Sequence, residues 1–201
     1  VAAPARAIPE AEAIKKLAVV PVFMLVNEKG VPVPQVNQAE KLLLVPLFME
    51  RSRAEAERQK ALQANPAGKV QVLPIPLSAA NERITSINRQ LKDGLRMLGP
   101  VVPNPADVAA AQAILRRQGL KDEDIREGLA VPVFFLTHAD LQKALAGAPP
   151  NRKLEPQAAD ISFAISQIIK AKQDSYVFFP PPEYFRLVQE EQARQRGAAA
   201  P

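Results

Sequence analysis

Val20-Pro21-Val22-Phe23, Val45-Pro46-Leu47-Phe48 and Val131-Pro132-Val133-Phe134 are three copies of one short apolar phrase, and their reading decides the fold. Branched and aromatic residues in so short a run favour a buried strand. The proline near each start is tolerated only where a ladder hydrogen bond can be spared. The second and third copies are each followed by a charged or polar helical stretch. That order predicts an α+β protein built from a duplicated strand-helix-strand-helix unit.

Working outward from the second copy, Leu42 to Met49 is a continuous apolar run, as expected of a strand covered on both faces. Arg51 to Ala64 reads as a helix with Ala54, Ala61 and Leu62 inward and Asn65-Pro66 ending it. Lys69 to Ile75 reads as the next strand. From Ser78, a residue suited to cap a helix, Ile84, Ile87, Leu91, Leu95 and Leu98 recur at three and four residues, which predicts one long helix face on the sheet. Gly99-Pro100 to Pro105 reads as linker, followed by helices from Asp107 to Gln118 and from Asp122 to Glu127.

Around the third copy the order returns. Val131 to Leu136 is a strand, Thr137 with Asp140 is a variant of the capping box, and a helix runs to Ala146. A helix from Pro156 carries Ile161, Ala164, Ile165, Ile168 and Ile169 inward. Tyr176 to Phe179 is the second strand, Pro180-Pro181-Pro182 forces a turn, and Glu183 to Arg194 closes the unit. Ahead of both units stand a short helix after Ile8-Pro9 and a hairpin, Val19 to Val26 and Val31 to Val36, turning at Gly30. Pro32 and Pro34 reduce its second arm to an edge strand or an extended segment. The expected organisation is one domain over 1–201, with pseudo-twofold repeats at about 37–98 and 123–195 and a helical linker at 99–122. Chance likeness between short segments is the alternative to duplication.

Composition excludes several functions. The chain of 201 residues has no cysteine, so disulfides, thiol catalysis and thiolate metal sites are absent. No apolar run approaches the ~18 residues that span a bilayer. The net charge of +5 is scattered, with adjacent basic pairs such as Lys15-Lys16 and Arg116-Arg117 and acids interleaved at Glu55, Glu57, Glu190 and Glu191. A nucleic-acid face gathers its cations and supplies stacking aromatics. With two Tyr and no Trp this chain does neither, although its positive excess favours anionic surfaces or acidic partners.

Catalytic chemistry finds no home either. His138 is the single histidine, at a predicted helix start, whereas zinc takes three or four ligands. No Ser-His-Asp elbow, phosphate loop or dinucleotide fingerprint occurs. Asp122, Glu123 and Asp124 complement a helix dipole, and Glu190-Glu191 lie on a solvated helix face. No metal or cofactor is expected. The aromatics are more informative: in Phe134-Phe135 and Phe178-Phe179 the adjacent rings point to opposite sheet faces. Either helices cover both faces, or one face keeps an apolar groove for an extended or unfolded partner.

Val19 to Phe23 with Asn27-Glu28-Lys29-Gly30, Val131 to Thr137 leading to Asp140-Leu141-Gln142, and Lys69 to Ser78 together resemble the Tic twenty-two family. This family is the small soluble translocon component of the chloroplast intermembrane space, with cyanobacterial relatives in the periplasm. The resemblance runs from about Ile8 to about Arg194; the Pro180 to Pro182 triplet departs from the family pattern. It implies a two-winged α+β fold and a non-enzymatic, chaperone-like factor that binds precursor proteins between two membranes. It also implies a barrel-type outer-membrane pore protein as a partner. The location implied is the periplasm or the plastid intermembrane space, after removal of an N-terminal targeting segment that the chain as given does not include. The apolar pocket implied would gather Val22, Phe23, Leu47, Phe48, Val133, Phe134 and Phe179. A structural adaptor docking on the pore through charged helices such as Arg51 to Lys60 is the other reading.

Overall fold

The computed structural model describes residues 8–117, 138–147, 156, 158, 161–170, 178 and 180–198. The first copy of the apolar phrase forms β1 (Pro21–Asn27), entered through helix α1 (Glu10–Lys15) and a 3-10 turn at Lys16–Val19. Successive side chains of a strand face opposite ways. Val22, Met24 and Val26 therefore enter one apolar cluster, and Phe23 and Leu25 enter another on the far side. Helices cover both faces, and β1 is buried along nearly its whole length.

Among the described residues, two sheets are built from seven strands. The first holds β5 (Val70–Pro76), β1, β4 (Leu47–Phe48) and β7 (Val101–Val102) in that spatial order. The second holds β2 (Gln35–Asn37), β3 (Leu42–Leu44) and β6 (Arg96–Leu98). The first two copies of the phrase face each other directly, since β1 and β4 are antiparallel with Phe23 opposite Phe48.

Prolines link the two sheets. β3 runs on into β4 past Pro46, and β6 runs on into β7 past Pro100, as a parallel pair whose register is the same on both sides of the bend. Val45, Leu47 and Met49 donate their N–H groups to the carbonyls of Leu98, Pro100 and Val102 at 2.8, 2.8 and 2.9 Å. Pro46 lies at the intervening position, whose amide points away from that partner, so its missing donor breaks no bond of the pair. Gly99 closes the bend tightly: an added Cβ would stand 2.3 Å from Ile84 Cδ1 and 3.2 Å from Leu47 Cδ1. Gly99→Ala is expected to cost about 1–3 kcal/mol by overpacking, read as a lower urea midpoint at unchanged slope. An unchanged midpoint would mean that Ile84 swings aside freely.

Helix α2 (Arg51–Ala64) lays Ala54 and Ala61 on the Phe23 face, and α3 (Leu77–Asn88) lays Leu77, Ala80 and Ile84 on the Val22 face. Further along the chain are α4 (Pro105–Arg117), α5 (His138–Ala146), α6 (Ile161–Lys170) and α7 (Pro182–Ala198). Ile168 of α6 and Phe178 complete the Val22 side of the core. The protein is thus mixed α+β, with seven α-helices and two small sheets among the described residues.

The long helix face expected from Ile84 to Leu98 stops at Asn88. Asp93 and Gly94 take positive φ, and the Asn88 side chain both accepts from Met97 N–H at 2.7 Å and donates to its carbonyl at 2.8 Å. A turn closed this way converts the last third of the apparent helix into β6. Ser78 does not cap α3; the helix begins at Leu77, after Pro76, without a side-chain cap, and Ser78 is buried in its first turn. Val101-Val102, read as linker, is strand. The second hairpin arm touches β1 through a Pro32–Val26 bridge and a Val33 N–H bond to Leu25, then leaves to pair with β3 as β2. The third apolar phrase, the helix read at Asp122 to Glu127, and the strand read at Tyr176 to Phe179 apart from Phe178 lie outside the described residues.

Candidate apolar binding site

Val22, Phe23 and Leu47 are wholly buried and Phe48 nearly so, while Val133, Phe134 and Phe179 lie outside the described residues. The described four are core, and the accessible apolar surface begins one step beyond Phe23. Pro21 shares its face of β1, and the register sets Pro74 opposite Phe23 and Pro76 opposite Pro21. The face that is valine-rich under α2 therefore becomes a floor of proline rings at this end.

Helix α7 lies across that floor. Leu187 packs into the cluster of Phe23, Leu25, Phe48 and Ala54. Tyr184, Leu187 and Val188 recur at helical spacing and, with the prolines and Ala18, enclose an apolar groove of about 370 Å³. That volume falls in the lower range of sites that enclose small ligands or peptide side chains. Tyr184 is braced edge-on against Phe185, ring centroids 5.6 Å apart.

One wall of the groove is charged. Glu190 of α7 accepts from Arg51 Nη2 at 2.9 Å, and the Arg51 guanidinium lies over the Phe23 ring, 5.5 Å from its centroid. The cation gains from the ring quadrupole while its hydrogen bond reaches across to α7. A second cleft of about 570 Å³, shared by α2, α4 and α7, has Glu50, Ser52, Asn104 and Asp107 in its lining beside Met49, Pro181 and Pro182; Asn104 donates to Glu50 at 2.7 Å. Charges of α2 are engaged locally: Arg58 with Glu55 and the Val70 carbonyl, Lys60 with Glu57.

Among the described residues neither cleft is lined by a histidine. His138 is exposed in the first turn of α5, its backbone N–H bonded to Asp107 at 2.9 Å. Among the described residues no three His, Cys, Asp or Glu side chains group to hold a metal ion. None of the described helices is long and apolar enough to cross a membrane. Asp122, Glu123 and Asp124 lie outside the described residues.

Of the expected pocket residues, Phe23 and Phe48 lie in the cluster that Leu187 enters and Val22 and Leu47 in the cluster on the other face, while Pro74, Pro76, Tyr184, Leu187 and Val188 line the groove. A signal for them was present. Prolines at alternate positions of one strand share a face, and Tyr184, Leu187 and Val188 share a helix face.

These features define a class: an α+β protein with an apolar groove on a sheet covered by helices on both faces. The particular fold is that of the Tic22 proteins. Anabaena Tic22, a protein of protein transport, superposes with a TM-score of 0.66 at 19% identity, over 91% of this chain and 97% of that one. Tic22 from Plasmodium falciparum superposes with a TM-score of 0.67 at 15% identity, over 90% and 97%. No family model and no curated protein sequence matches the chain.

Proposed function

We propose that this chain is a non-enzymatic protein-transport factor that binds apolar segments of precursor proteins between two membranes, in a periplasm or a plastid intermembrane space. The observation that carries the reading is the apolar groove between α7 and the proline floor of β1 and β5, on a Tic22 fold. An apolar wall of this kind recognises side chains without reading a sequence, which suits a protein that handles many clients.

The test is binding of a labelled, unfolded outer-membrane precursor across a salt series. Apolar capture is expected to persist at 1 M salt, where the Debye length falls to about 3 Å. Ala18→Asp, at the exposed rim of the groove and outside α7, is expected to weaken binding about tenfold by placing a charge against the apolar segment. Binding that vanishes with salt and ignores Ala18→Asp would move the assignment to an adaptor docking on a pore protein through charged helices.

A further inference from the structure

Helix α7 is long, and its described side chains attach it thinly. Among them, Leu187 is the one that enters a core cluster. Phe185 is 54% exposed and Val188 37%, and the Arg51–Glu190 pair that ties the helix down is 34% exposed at both ends. By contrast, the shorter α3 buries four residues. Clefts flank α7 on both sides, so its described side chains offer little packing against removal. Beneath it lies a prepared surface, the Phe23 and Phe48 cluster with a guanidinium fixed on the Phe23 ring.

We infer that α7 is a replaceable cover, and that a partner's amphipathic helix displaces it and occupies the same sheet face. The replacing helix carries a large apolar residue followed three positions later by a carboxylate, the pattern of Leu187 and Glu190. The first fills the cluster and the second takes over Arg51. An extended strand is the wrong occupant: among the described residues β5 is the edge of the sheet, and Pro74 and Pro76 remove the outward N–H groups that strand addition needs. The inference deepens the transport reading and rests on it for the identity of the partner as a client segment.

Two experiments on the full chain decide it. In native-state hydrogen exchange, the amides of α7 are expected to open locally, with far less protection than those of β1; joint exchange of α7 and β1 in one global event overturns the inference. A labelled peptide with the sequence of residues 182–198 is then titrated into the wild-type chain and into Glu190→Lys, whose lysine repels Arg51 and frees the cover. About tenfold tighter binding to the variant is expected, because apparent affinity scales with the open fraction. Equal or weaker binding, with β1 amides still protected, overturns the inference; if those amides are unprotected, the wild-type exchange result decides alone. A peptide carrying Glu190→Lys itself should bind at least about tenfold more weakly than the native peptide; equal binding overturns the role given to Arg51. If the peptide exchanges but unfolded precursors do not bind, the cover stands and the transport reading fails.

Discussion

Phe23→Ala is expected to lower the unfolding free energy by about 3–5 kcal/mol, the range for truncating a large buried aromatic. The site has little room to collapse. Phe23 is 0% exposed, and its neighbours across the strand pairings are Phe48 in β4 and Pro74 in β5. The ring also carries the Arg51 guanidinium, so the substitution removes the support of a cation as well as apolar contact. Domain stabilities are about 5–15 kcal/mol, and a loss of this size leaves a marginal fold. The measurement is urea unfolding, with Phe185→Ala as the control. Phe185 is more than half exposed, and its removal is expected to cost less than about 0.5 kcal/mol. A Phe23→Ala loss below about 1 kcal/mol would show that Phe23 is not the centre of this side of the core.

Pro74→Thr with Pro76→Thr is expected to make the protein self-associate while leaving its fold intact. The register decides which way these residues point. Leu77 N–H bonds to the Val20 carbonyl at 2.8 Å, and antiparallel pairing alternates, so Ile75 and Leu73 also donate toward β1. Pro74 and Pro76 then face outward along β5, the edge of the sheet among the described residues, where an N–H would invite another strand. Threonine restores two donors and a good strand former at both positions, each new hydrogen bond worth about 0.5–1.5 kcal/mol. Sedimentation velocity over a concentration series is the readout. A double variant that sediments as the wild type throughout would show that another feature guards this edge.

Local structure was legible wherever one element decided it. Arg51 to Ala64 is helical as read, with Ala54 inward, because Asn65-Pro66 ends it within the segment itself. Pro32 and Pro34 broke the hairpin arm as their missing donors require. The misreading at Ile84 to Leu98 had a definite source. Leucines at three- and four-residue spacing continue the helix pattern past Asn88, but the Asn88 side chain bonds the Met97 backbone and holds the chain in a turn. Periodicity is blind to a side chain that bonds nine residues ahead.

For the candidate site, the described residues that the sequence singled out are buried, and the groove is lined by others. Apolar content by itself identifies what avoids water, and Val22, Phe23, Leu47 and Phe48 do avoid it, deep in the core. Which apolar residues stay partly exposed depends on what covers them. That is a contest between distant segments, and the groove joins Pro21, Pro74 and Val188 across most of the chain.

From the sequence by itself follow the α+β class, the burial of the first two apolar phrases, the absence of cysteine chemistry, and prolines placed where a strand can spare its donor. Each of these is a property of a residue type or of a short window. Only the tertiary structure decided that Phe23 meets Phe48, that β3–β4 and β6–β7 run as one bent parallel pair, and that α7 roofs a proline floor. Those contacts join residues far apart in the chain, and their free energy depends on which of several apolar faces packs best against which.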